Sequence, residues 1–362
     1  MLIINAHILP INQQEIKRGF IFFDQGKIIA LGDMKDAPKW QKVYDAKGQY
    51  ALPGFIDAHT HLGLFRADGD NEAGEDALSI APHLRAIDSV DFSDPYFRTA
   101  LKNGVTSAAI SPASVSVFGG QIAMVKTSGE VMSENIGVKV ALGDNPKHKN
   151  GTPSTRMAVV ALIREALAKA KKYATKRNKD VDLASDALLD IINRKKPLYV
   201  HCHTQGDIRA IFRVADEFNI DIKLIHATDS SDMASEIKER GVDVICGPQL
   251  CHKNKLELAG HDPALAAYLT VNGVKCAITT DHPETTAENL ALCASLAMRD
   301  GLAPLDALCS ITINAAEVCG VADRVGSIEP DKDADILLFD KFPLEICARP
   351  TAVFVGGKML KR

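Results

Sequence analysis

The chain has 362 residues, 46% of them hydrophobic and 24% charged, with a formal net charge of −4. This is a globular composition with room for a large core, and its weak acidity argues against nucleic acid or an anionic membrane as partner, since both call for a basic field. The longest basic cluster, Lys169 to Lys179, is broken by alanines and a tyrosine and reads as the solvated end of a helix.

Residues 2–50 carry short strand-like runs at Leu2–Ile4, Phe20–Asp24 and Lys27–Leu31, with Asp24-Gln25-Gly26 as a hairpin turn. Met1 to Pro10 is too short for a signal peptide, and no apolar run approaches the roughly 20 residues of a membrane-spanning helix. Eight scattered cysteines without a CxxC pair read as reduced thiols, so the expectation is a cytoplasmic protein. From residue 53 onward short apolar strands alternate with helical periodicity, the signature of βαβ units and a parallel sheet. The strands expected are Gly54–Asp57, Val105–Ile110, Ile122–Lys126, Val138–Leu142, Leu198–His201, Ile222–His226, Val242–Cys246 and Val274–Thr279. Helices are expected at Thr155–Tyr173, Asp207–Asn219, Asp232–Arg240, Pro263–Asn272, Glu288–Asp300 and Pro304–Cys319. Eight strands with intervening helices predict a (β/α)8 TIM barrel over residues 53–322.

Residues 327–362 return to the style of the N-terminus, with strands at Ala334–Phe339 and Ala352–Val355 and a Gly356-Gly357 turn before Lys358–Leu360. Neither end buries enough surface to stand alone. The expectation is one small β-sandwich domain built from residues 1–52 plus 323–362. Two segments exceed ordinary barrel loops: 62–100 after the first barrel strand and 143–155 after the fourth. Both fall on the face where strand C-termini emerge, where long loops act as lids and specificity elements.

Ligand-type residues recur at those strand ends. His59 and His61 follow the first strand, and alternation points both to one face. His201 ends the fifth, with His203 two positions on; His226 ends the sixth; Asp281 follows the eighth. A lone His-x-His is weak evidence, but four separate strands ending this way are not. Neutral imidazole and carboxylate suit a divalent borderline cation such as zinc, one ion or two. Such a metal brings the pKa of bound water to roughly 7. Asp281 is the candidate proton shuttle, and His226 or His203 the candidate to polarise a developing oxyanion.

Arg156, opening a helix after the fourth-strand loop, can clamp a substrate carboxylate, though a surface helix arginine is the blander reading. Lys126, ending the Ile122–Lys126 run, can reach the site or snorkel at the barrel rim. No G-x-G-x-x-G, Walker loop or G-x-S-x-G elbow is present, so nucleotide and serine-hydrolase readings lack support.

The opening Pro53-Gly54-Phe55-Ile56-Asp57-Ala58-His59-Thr60-His61 and the closing Gly326-Ser327-Ile328-Glu329-Pro330-Asp331-Lys332-Asp333-Ala334-Asp335-Ile336 resemble the amidohydrolase superfamily over nearly the whole chain. Within it the sequence is most similar to imidazolonepropionase-like members. The resemblance implies that His59, His61, His201, His226 and Asp281 are the metal and catalytic set. It also implies a bridge between two ions on the fourth strand, where Lys139 matches a carboxylated lysine and Asp144 is the competing acid. The expected activity is hydrolysis of a carbon–nitrogen bond in a small molecule: an amide, a lactam, an imidazolone-like ring or an N-acyl dipeptide. The alternatives are heterocycle deamination and a non-catalytic scaffold. Deamination calls for a Glu soon after the fifth-strand histidine, where this chain has Thr204, Gln205, Gly206 and Asp207. The partner expected is a small-molecule substrate, with homo-oligomers allowed.

Overall fold

In the computed structural model the described residues are 1–148, 151–176, 180–253 and 255–360. The tail of the basic cluster at 177–179 and residues 149–150 of the 143–155 loop lie outside them. The eight barrel strands are β1 (Phe55–Thr60), β2 (Val105–Ile110), β3 (Phe118–Lys126), β4 (Val131–Ala141), β5 (Leu198–Cys202), β6 (Ile222–His226), β7 (Val244–Cys246) and β8 (Cys276–Ile278). They are neighbours in chain order from β1 to β8. Residues in β1, β2, β5 and β7 are buried throughout, as a barrel wall between packed interior and helices requires.

The sheet is not wholly parallel. β3 runs antiparallel to both β2 and β4, while the other ladders are parallel. The reason is local: only Thr127 to Glu130 separate β3 from β4, whereas a parallel crossover needs about a dozen residues. Gly129, at φ +104°, turns that hairpin. The reversal carries the end of β3 to the floor of the barrel. Lys126 therefore does not reach the mouth; its Nζ pairs with Asp333 at 2.8 Å and Asp335 at 2.6 Å.

Helix Gln205–Phe218 shows why the helices form where they do. Thr204 caps it by accepting from the Asp207 amide, Asn219 closes it in the left-handed region, and Ile208, Ile211 and Phe212 make its buried face. Truncating Ile211, fully buried, to alanine would cost about 2–5 kcal/mol. The single helix expected over Pro304–Cys319 is instead two, Pro304–Ser310 and Ile313–Val318. Between them Thr312 leaves helical geometry and its hydroxyl donates to the Leu308 carbonyl at 2.5 Å, back-bonding that competes with the helix. Among the described residues no helix is long and apolar enough to cross a membrane.

The two chain ends share one sheet. Tyr50–Pro53 pairs antiparallel with Ile336–Phe339 and parallel with Leu2–Ile8. The sheet encloses its own core, including Ile3, Ile21, Phe23, Ile336 and Phe354. Phe55 of β1 lies against Phe339 of this sheet, ring centroids 6.0 Å apart, and Lys126 ties the barrel floor to it.

Candidate metal centre

The ends of β1, β6 and β8 bring His59, His61, His226 and Asp281 around one point. Asp281 Oδ1 lies 3.2 Å from His59 Nε2 and 3.6 Å from His61 Nε2, and its Oδ2 lies 3.9 Å from His226 Nε2. The backbone is bent to do this. His226, Ala227 and Asp281 take φ of 68°, 47° and 52°, in the left-handed region that side chains disfavour. Strain of this kind costs about 1–3 kcal/mol per residue and gathers where side chains must be aimed.

Hydrogen bonds to backbone set the imidazole faces. His61 Nδ1 lies 2.6 Å from the Ser111 carbonyl, and His226 Nδ1 lies 2.6 Å from the Gly247 carbonyl. A carbonyl only accepts, so Nδ1 carries the proton and Nε2 turns its lone pair to the mouth. Burial lowers all these histidines. His61 is brought to about 4, with Asp281 opposing, and His203 to about 4, with Lys255 adding to burial. His59, His201 and His226 are driven well below the ordinary value, again by burial first. Neutral imidazole at neutral pH is the form that binds a cation.

Lys139 points into the barrel, fully buried, with Nζ 3.3 Å from His59 Nε2. Among the described residues it makes no salt bridge. Burial pulls its ammonium down to about 7, against the pull of Asp281. Asp57 lies beneath His59 and went unremarked in the sequence, although alternation puts it on the same face as His59 and His61. Burial raises its carboxyl to about 6, against hydrogen bonds from Thr279 and Thr280.

The other wall departs from the expected single cluster. His201 groups with His203 and with Glu257, a residue that sequence reasoning missed, one donor atom of each lying within 4.8 Å of the others. Asn145 Nδ2 stands 3.2 Å from His201 Nε2, and Lys255 donates to Asn145 Oδ1. His201 Nδ1 is buried without a partner. His203 lies face to face with His226, centroids 5.0 Å apart, with Nδ1 2.7 Å from the Thr228 hydroxyl. Glu257 is held at Oε2 by the Asp144 amide at 2.9 Å and by Arg156 Nη2 at 3.0 Å, while its Oε1 is buried and unpartnered. Nothing in the local run Lys255-Leu256-Glu257-Leu258 signals this placement.

Two candidates are not where the sequence put them. The Asp144 carboxylate pairs with Lys147 and Arg156 and is not brought among the histidines. Arg156 spends its guanidinium on Asp144, Asp207 and Glu257, at 3.1, 3.2 and 3.0 Å, so it is not free to clamp a substrate. The remaining space at the mouth is a cavity of about 90 Å³ whose walls include His201, His203, His226, Thr228, Lys255 and Asp281. The donor set fits a divalent cation: His61 and His226 with Nδ1 fixed and Nε2 turned inward, His59 Nε2 beside them, and the Asp281 carboxylate between them.

The family model for amidohydrolases matches residues 50–360. An amidohydrolase of solved structure from Thermotoga maritima MSB8 superposes with a TM-score of 0.95 at 31% identity, covering 100% of this chain and 99% of that one. The imidazolonepropionase of Caldanaerobacter subterraneus subsp. tengcongensis is 26% identical over 90% of this chain and 85% of its own length. Amidohydrolase tasK of Hapsidospora irregularis is 24% identical over 94% of this chain, which spans 39% of that relative's length.

Proposed function

This chain belongs to the amidohydrolase family and is a metal-dependent hydrolase of that superfamily, and from that premise we propose that it cleaves a carbon–nitrogen bond in a small molecule. An amide, a lactam, an imidazolone-like ring and an N-acyl dipeptide are the candidate substrates. The observation that carries the reading is the convergence of His59, His61 and His226 on the carboxylate of Asp281. These four residues would hold one divalent cation, with zinc favoured by the imidazole and carboxylate donors. His201 joins them once Asn145 leaves its Nε2. Lys139, which burial brings to about 7 so that roughly half is the free amine at neutral pH, is poised to be carboxylated and to bridge to a second ion. We divide the chain into a terminal unit, 1–52 plus 323–362, and a barrel unit, 53–322.

A bound cation would acidify water and polarise a carbonyl. The chain's own part is positioning and proton transfer. Asp281 takes the proton of the attacking water at a carboxylate oxygen and returns it to the leaving nitrogen as the C–N bond breaks. His203 lines the cavity, and its Nδ1 is taken by the Thr228 hydroxyl. When Nδ1 accepts the Thr228 hydroxyl proton, Nε2 carries a proton to offer the developing oxyanion.

Glu257 supports deamination of a heterocycle as a second reading. The proton-donating carboxylate that reading needs, absent from residues 204–206, is offered here by another loop beside His201 and His203. One experiment separates the two. Zinc-reconstituted protein is incubated with panels of N-acyl amino acids, lactams, imidazolones and aminated heterocycles, and products are read by mass spectrometry. The proposal expects a new carboxylate with its matching amine, lost in Asp281→Asn. Ammonia release from the heterocycles alone would put deamination in its place, and no turnover of any panel by fully loaded protein would count against both.

A further inference from the structure

Among the described residues no backbone ladder closes the barrel. Ladders join β1 through β8 in sequence, but among the described residues none joins β8 back to β1. His59 and His61 stand on one side of that seam and Asp281 on the other. The candidate centre therefore straddles the place where no ladder sets the distance between its halves.

Side chains around Asp57 span the gap. Asp57 is fully buried, and its Oδ1 accepts from the Thr279 hydroxyl at 2.6 Å and from the Thr280 amide at 3.3 Å. Its Oδ2 accepts from the Thr280 hydroxyl. The Thr279 hydroxyl also touches the His59 carbonyl, and its one proton serves either acceptor. Above these contacts the His61 amide donates to the His282 carbonyl at 3.0 Å.

Direction gives these bonds their consequence. A carboxylate or a carbonyl accepts and does not donate, so the Thr280 hydroxyl proton points to Asp57 and the Thr279 hydroxyl proton to Asp57 or the His59 carbonyl. The lone pairs left over face the amides two residues on. Asp281 N donates to Thr279 Oγ1 at 3.2 Å, and His282 N donates to Thr280 Oγ1 at 3.3 Å. Those two bonds pin the turn in which Asp281 adopts its left-handed φ of 52° and swings its carboxylate to His59 and His61.

We infer that Asp57 is a positioning residue that clasps the β1–β8 seam and presents Asp281 to the cation held by His59 and His61. The inference rests on the reading of Asp281 as a ligand. Its test is zinc affinity, measured on the full-length protein by competition with a chromophoric chelator, together with the visible spectrum of the cobalt-loaded form and the Tm of the metal-free form. Asp57→Ala should weaken zinc binding by about 10- to 100-fold, the usual effect of losing a group that orients a metal ligand, and shift the cobalt spectrum. Asp57→Asn should restore part of both, because its amide oxygen still accepts from Thr279 while its NH2 reverses the bond to Thr280 Oγ1 and leaves that hydroxyl proton without its acceptor. Thr280→Val cuts the same clasp from the opposite strand and should also weaken binding, which keeps the test decisive if Asp57→Ala does not fold.

Lowered Tm with wild-type zinc affinity and cobalt spectrum, in either Asp57→Ala or Thr280→Val, would make the clasp merely structural and overturn the inference. A wild-type protein that takes up no metal would overturn the metal reading itself, and this inference with it.

Discussion

Two lysines on neighbouring strands are equally buried and live in opposite surroundings. Lys126, at the floor end of β3, lies between two carboxylates at 2.8 and 2.6 Å. Lys139, in β4, has for a polar neighbour a histidine nitrogen at 3.3 Å, and burial brings it to about 7. A paired buried charge holds parts of a fold together; an unpaired buried amine weakens the fold and belongs where chemistry needs it. The reversal of β3 puts the first lysine at the junction with the terminal sheet, and β4 leaves the second at the candidate centre.

If that contrast is right, the floor should carry stability and the mouth should carry metal. The largest effect expected is at the floor. Lys126→Met leaves Asp335 without its cation while Asp333 keeps Lys27 and Arg324, and should cost about 3–5 kcal/mol by urea unfolding with metal content unchanged. An unchanged midpoint would remove the structural half of the comparison. At the mouth, Asp281→Asn should leave the fold and at least one metal in place and lower turnover by roughly 10² or more. Unchanged turnover on a true substrate would eliminate Asp281 as the shuttle.

A smaller effect separates the two regions by pH. Burial raises the Asp333 carboxyl, but Lys126, Lys27 and Arg324 outweigh it and hold the group at about 2, against 3.8 in the unfolded chain. The folded state therefore binds fewer protons between those values. The stability this adds is complete above pH 4 and lost as pH falls toward 2. Relative to Asp333→Asn, wild type should lose about 2 kcal/mol across that window; parallel acid curves would show that the pairing contributes nothing. Lys139→Ala breaks no ion pair and removes an unpaired buried amine, which offsets the cavity it leaves, so its net change in stability should be the smallest. Its readout is metal: loss of one equivalent supports a carboxylated bridge, and full retention of metal and activity rules the bridge out.

The sequence disclosed the barrel wall because buried strands and amphipathic helices differ in period, and ligand-type residues stood out at strand ends. It did not disclose the direction of β3, since the four-residue hairpin after Lys126 was hidden by starting the next strand at Val138 when it begins at Val131. His59, His61, His226 and Asp281 were legible from position alone. Asp57 was one step of the same alternation away, but its partners Thr279 and Thr280 lie more than 220 residues on, and no local pattern links them. Glu257 and Arg156 show the same limit. One is an unremarkable loop acid in the sequence and the other a free guanidinium, and only their meeting across 101 positions reveals that Arg156 is engaged and that Glu257 is held by one oxygen with the other left unpartnered.

The central claim is that the mouth of this barrel is a metal centre. Elemental analysis of full-length protein purified without chelator, and again after zinc reconstitution and desalting, tests it most directly. The account predicts one divalent ion per chain if Lys139 is unmodified and two if it is carboxylated, with the first ion lost in a His59→Ala, His61→Ala double variant. Only traces of metal in the wild type under both conditions would contradict it.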